Sequence, residues 1–188
     1  TNGSPQDSVT VNVYRTYRNE TDEIYVPGND TTYAIANVFG GGNQANYVPL
    51  NTADHKKLKV MIHGCYNSVR RVFGGSNAAA SGSSSVPTIV STNIDGGRFH
   101  QVFGGGNGEV SAANIFGDLD LQIHGGIVDQ FYGASNQTGS ISGSINTLVD
   151  NESGCESVSI DEFFCGGNYA DISGNLVTTI DRDRKSVV

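Results

Sequence analysis

The chain has no tryptophan, one methionine and only three cysteines. An odd, sparse cysteine count is not a disulfide framework, and no CxxC pair offers metal-site spacing. Charge is scarce too: charged residues make up 16% and the net charge is −8. The one basic run, Arg182–Lys185, is mixed with acid. A nucleic-acid partner needs a basic face and is therefore excluded, as is attraction to an anionic membrane surface. No apolar run approaches the about 20 residues that span a bilayer. Thr1–Asp7 is polar and does not resemble a secretory leader. Helical periodicity is absent throughout.

What the chain has instead is glycine, 25 residues of it, and hydrophobic residues at a low 37%. Disordered chains couple low hydrophobicity to high charge. Here charge is missing and the apolar residues are periodic, which predicts a folded all-β chain with many turns. Val9, Val11 and Val13 alternate with polar residues, the pattern of a half-buried strand.

One phrase is written five times. Val38-Phe39-Gly40-Gly41-Gly42-Asn43 returns as Val72-Phe73-Gly74-Gly75-Ser76-Asn77 and Val102-Phe103-Gly104-Gly105-Gly106-Asn107. Two degraded copies follow, Phe131-Tyr132-Gly133-Ala134-Ser135-Asn136 and Phe163-Phe164-Cys165-Gly166-Gly167-Asn168. Self-similarity at a period of about 30 residues predicts a stacked solenoid. Between copies lie alternating strands: Leu58–Ile62, Val90–Ile94, Leu119–Ile123 and Ile145–Val149. Each is followed by a turn, such as His63-Gly64-Cys65, Asp95-Gly96-Gly97 or His124-Gly125-Gly126. Three short strands per unit and no helix fit one coil of a parallel β-helix.

Stacking predicts columns. Phe39, Phe73, Phe103, Tyr132 and Phe164 should form an aromatic ladder. Asn43, Asn77, Asn107, Asn136 and Asn168 should form an amide ladder. The glycines should supply positive φ or close backbone approach at a corner. Asn51–Lys57, Ala78–Ser85 and Asn151–Ser157 read as insertions that project from the coil. Stacked coils about 4.8 Å apart put Cys65 out of reach of the other cysteines, while Cys155 and Cys165 share a coil and are able to pair.

The aromatic-GGGN alternation resembles the glycine-rich right-handed parallel β-helix repeats of adhesin-like surface proteins from gut bacteria. More distantly the architecture is similar to the pectate-lyase-like superfamily, although no lyase motif is present. The resemblance implies an extracellular or cell-surface module that binds glycan or protein through exposed faces.

The candidate chemistry is thin. Gly40–Ala45 fits the loose G-x-G-x-x-A dinucleotide fingerprint, but no helix follows it and the phrase recurs. His63, Asp95, His124, Asp150 and Asp181 share one column after the first strand of each unit. Of these, His63, Asp95 and His124 are the candidate metal ligands. Asp118, Asp120 and His124 are the candidate catalytic groups, with Asp129 nearby, since paired carboxylates cleave glycosidic bonds. Arg70, Arg71 and Arg98 are the bases nearest to hand for a lyase. Exposed tyrosines among Tyr14, Tyr17, Tyr25, Tyr33, Tyr47 and Tyr66 would serve as sugar platforms.

The expectation is an N-terminal strand or cap segment (1–23) followed by about five coils of parallel β-helix (24–188), cut from a longer solenoid. The function expected is a non-enzymatic, adhesin-like or structural surface module without a cofactor. The alternatives are a polysaccharide lyase or glycoside hydrolase, and a ligand-free spacer. An uncapped last coil would favour end-to-end self-association.

Overall fold

The computed structural model describes residues 8–16, 33–50, 57–152 and 157–181. Its strands are β1 (Val9–Val13), β2 (Ile35–Phe39), β3 (Lys57–Ile62), β4 (Ser68–Phe73), β5 (Thr88–Ile94), β6 (Arg98–Phe103) and β7 (Gly117–Ile123). They continue as β8 (Ile127–Tyr132), β9 (Ser140–Ile141), β10 (Ile145–Val149), β11 (Ser159–Phe164), β12 (Asp171–Ile172) and β13 (Leu176–Ile180). No helix occurs among the described residues, and none is long and apolar enough to cross a membrane.

The chain is a three-sided parallel β-solenoid. One side runs β1-β3-β5-β7-β10-β13 and the second β2-β4-β6-β8-β11. The third is β9-β12, extended by single bridges through Tyr47, Ser81, Ile115 and Ile141. From β3 onward the chain returns to the first side at β5, β7, β10 and β13, about four turns, close to the five coils expected. β1 belongs to the first side and pairs with β3.

Alternation decides what is buried. On the first side three inward columns fill the core, one of them Val13, Ile62, Ile94, Ile123, Val149 and Ile180. On the second, Val38, Val72, Val102, Phe131 and Phe163 point inward, and Phe131 and Phe163 stack at 4.7 Å. Where the middle turns cover these columns, exposure falls to zero, as at Val60, Val90, Phe99 and Val102. It rises in the last turn, with Leu176 40% and Ile180 60% exposed.

The corner glycines work by close approach. Gly40, Gly74, Gly104 and Gly133 are not among the positive-φ glycines. A Cβ on each would run into the carbonyl of the next turn: Gly74, Gly104, Gly133 and Cys165 in order. Cys165 ends this column, so its own side chain meets no further described turn and is exposed. Positive φ is used elsewhere, at Gly97 (116°) and Gly126 (109°) in the turns after the first side.

Two expectations change. Ala78, Ala79, Ser81 and Gly82 are buried, so the segment 78–85 does not project over this stretch. Ser81 is the third side of its turn, bridged to Tyr47 and Ile115, because a coil must close on the core before it can return to the first side. Cys65 is disulfide-bonded and Cys165 is a free thiol. The spacing of the coils holds ladder backbone at the height of its own coil, and a cysteine on an inserted segment is not bound by it. Cys155 lies outside the described residues, as do 51–56 and 153–156 of the other two insertions.

Thr92 and Thr147 occupy inward positions in one column, 2% and 3% exposed, and their hydroxyls have no hydrogen-bond partner. Burying an unpaired hydroxyl costs about 1–3 kcal/mol by mutational measure. Thr92→Val and Thr147→Val are therefore expected to raise unfolding stability by about 1 kcal/mol each in urea titrations.

Candidate functional site

Three groups of side chains break the uniformity of the stack. The first is the corner beside the VFGGGN phrase. Phe39, Phe73, Phe103, Tyr132 and Phe164 stack as one column, with centroids 4.8–4.9 Å apart and planes within 12°. The strand spacing of about 4.8 Å imposes that separation. Burial, with Glu162 and Tyr169 adding, pushes the Tyr132 phenol up. Next to the rings the asparagines form a one-way amide chain. Asn77 Nδ2 donates to Asn43 Oδ1 at 2.7 Å, Asn107 to Asn77 at 2.8 Å, Asn136 to Asn107 at 2.9 Å and Asn168 to Asn136 at 3.0 Å.

Glu109 closes over this corner. Its carboxylate accepts from Arg71 at 2.7 Å and from Asn136 at 3.4 Å. Arg71 in turn donates to Asn37 at 2.8 Å and lies 5.6 Å from the centroid of Phe73. Burial alone would raise the Glu109 pKa, but the Asn107 and Arg71 hydrogen bonds, with the Arg71 and Arg70 charges, outweigh it and hold the group below its ordinary value. The pattern of repeats does not announce Glu109, because it follows the repeated phrase in one copy alone.

The second group is the turn column. Backbone bonds carry the parallel register one residue past the strands: His63 N–H to Val13, Asp95 to Ile62, His124 to Ile94, Asp150 to Ile123 and Asp181 to Val149. His63, Asp95, His124, Asp150 and Asp181 thus stand one above another. His63 Nδ1 lies 3.5 Å from Asp95, and His124 Nδ1 lies 2.7 Å from Asp150. The three candidate ligands His63, Asp95 and His124 do not themselves converge. Among the described residues, the group within ligating reach is His124, Asp150 and Glu152. Glu152 sits beyond the column, and its only sequence signal is its position two residues after Asp150.

The third group is an aromatic corner at the start of the stack. The Tyr14 ring stacks on His63 at 4.6 Å and remains 68% exposed. Tyr66 is 38% exposed with the Arg15 guanidinium 5.0 Å from its ring centroid. The Thr16 backbone N–H, beyond β1, donates to the Tyr66 carbonyl in the turn between β3 and β4. Tyr47, by contrast, is 1% exposed in the core, and Tyr33 is half-buried. Tyr17 and Tyr25 lie outside the described residues.

Of the candidate catalytic residues, Asp118 and Asp120 stand two residues apart on the outward face of β7, about 7 Å by the rise of about 3.3 Å per residue, whereas His124 lies about 20 Å from Asp118. Asp118 accepts from the Ser144 backbone at 2.8 Å, a structural task. Asp129 pairs with His100 at 2.9 Å on the second side, which also carries Arg70, Arg71 and Arg98. Acids of β7 and bases of β4 and β6 thus belong to different faces. Of two cavities at the ends of the stack, the one lined by Val9, Phe39 and Leu58 is an apolar core opening, and the one lined by Val149, Phe163 and Ile180 also takes in Asp150 and Asn151 at its edge.

No family model, curated protein or solved structure matches this chain. The architecture therefore stands on its own geometry.

Two outcomes test the first corner. Asn107→Ala removes both a donor and an acceptor from a 3% exposed site, and it should cost about 1–3 kcal/mol in denaturant unfolding. Asn43→Ala, at the exposed end of the chain of amides, should cost less. The second concerns acid. A carboxylate depressed in the folded state contributes stability above its unfolded pKa and loses it as pH falls through the folded value. Melting temperatures of the wild type should therefore fall more steeply below pH 4.5 than those of Glu109→Gln.

Proposed function

We propose that this chain is a non-enzymatic surface module of an extracellular protein, and that it binds glycan at the Tyr14–Tyr66 corner. The observation that carries the reading is the exposure of Tyr14 while its ring is fixed against His63. A sugar ring presents apolar C–H groups that stack on aromatic faces, and a tyrosine already held in place loses little entropy on binding. Arg15 and Asn12 add hydrogen-bond donors beside the rings; the Asn12 amide is itself oriented by a 3.0 Å bond to His63 Nε2. The separation of the β7 acids from the arginines of β4 and β6 supports binding over lyase chemistry. The disulfide at Cys65 supports an oxidising, extracellular setting.

The rigid scaffold fits the role. Turns that repeat in register leave the platform nowhere to collapse, and the corner sits on strand ends rather than on a long loop.

A glycan array followed by calorimetry on the best hit tests this. Tyr14→Ala and Tyr66→Ala are each expected to weaken binding roughly tenfold, about 1.4 kcal/mol, with the melting temperature little changed. Absence of any glycan hit would favour the spacer reading. Undiminished binding in both variants would move the site elsewhere.

A further inference from the structure

The turn column ends in a group that the ladders do not explain. His124 and Asp150 face each other at 2.7 Å with side chains only 16% and 8% exposed. The Glu152 backbone N–H donates to Asp150 Oδ1 at 3.1 Å. One ligating atom from each of His124, Asp150 and Glu152 lies within 4.8 Å of the other two.

Two carboxylates that close repel each other, and more strongly where one is shielded from water. Neither is paired with a lysine or arginine among the described residues. The same column adds Asp95 one turn before His124 and Asp181 one turn after Asp150. Asp95 is matched by His63 at 3.5 Å, which leaves Asp150, Glu152 and Asp181 around the His124 imidazole, a side chain that is itself a common metal ligand.

We propose that His124, Asp150 and Glu152 bind a divalent transition ion of the zinc class. Nitrogen ligation separates this site from a calcium or magnesium cage, which is built from oxygens. Three protein ligands leave a fourth position for water or a ligand. Ligands about 2.1 Å from a tetrahedral zinc ion stand about 3.4 Å apart, so the His124–Asp150 pair needs to open by less than an ångström. The other described inter-turn pairs, His63–Asp95 and His100–Asp129, have no third ligating group in reach among the described residues. Because His124 follows β7 and Asp150 follows β10, the ion would pin two successive turns to each other.

Calorimetric titration of the full chain with zinc chloride tests the proposal. The expected result is one ion per chain and a zinc-dependent rise in melting temperature. Glu152→Gln and His124→Gln should each weaken binding at least about tenfold, whereas His63→Gln and His100→Gln should leave it unchanged. Glu152 is exposed and outside every strand, so its variant decides the matter even where His124→Gln disturbs folding. Wild-type chain that binds no zinc overturns the proposal. So does binding that survives Glu152→Gln intact, or a preference for calcium over zinc.

Discussion

The side chain missing at Gly40, Gly74, Gly104 and Gly133 sets the spacing of everything else. Each of these residues leaves room for the carbonyl of the next turn, and an alanine would push that turn away. With the turns in contact at this corner, strands pair at about 4.8 Å. The phenylalanine rings and the asparagine amides then fall into contact without further adjustment. Stability in such a stack is a sum over neighbouring turns. Val90, Phe99 and Val102, with a described turn on either side, are completely buried, and Leu176 and Ile180, on the last described strand of the first side, are exposed.

Chemistry gathers where a turn departs from its neighbours. Glu109 has no counterpart in the other copies and caps the aromatic corner by engaging Arg71 one turn away. Asp150 and Glu152 lie at the mouth of an insertion. Tyr14 lies at the start of the stack, where no earlier described turn covers it, and Tyr66 stands one turn on, beside Arg15 and Thr16. A perfectly periodic solenoid presents the same face many times over; the departures give this one distinct places.

Much of this was legible in the residues. The repeated phrase fixed the period, and the alternation in Leu58–Ile62 or Leu119–Ile123 separated inward from outward positions because side chains in a strand change face at every step. The turn column containing His63 and Asp150 followed from the same counting. Contacts that cross the period were not legible. Arg71 meets Glu109 across 38 residues, a separation that belongs to no repeat length. The Cys65 disulfide was hidden for the same reason. Gly40 and Gly97 look alike as letters, yet Gly40 is there for close approach alone, whereas Gly97 combines close approach to Asn67 with a positive φ, a difference visible only when the neighbouring turn is placed. Asp118 and His124 looked like one constellation because they are near in sequence. A strand extends about 3.3 Å per residue, and proximity in sequence becomes distance in space.

Cys165 gives the stack a direction. Four glycines in its column accept a carbonyl from the turn that follows, and Cys165 puts a Cβ and a thiol in that place. Another turn laid on in the same register, whether from this chain or from a second copy, would meet that thiol with its backbone. The corner that lets each turn settle on the last is thus shut at one end, and addition there in the same register requires the strands to part at that point.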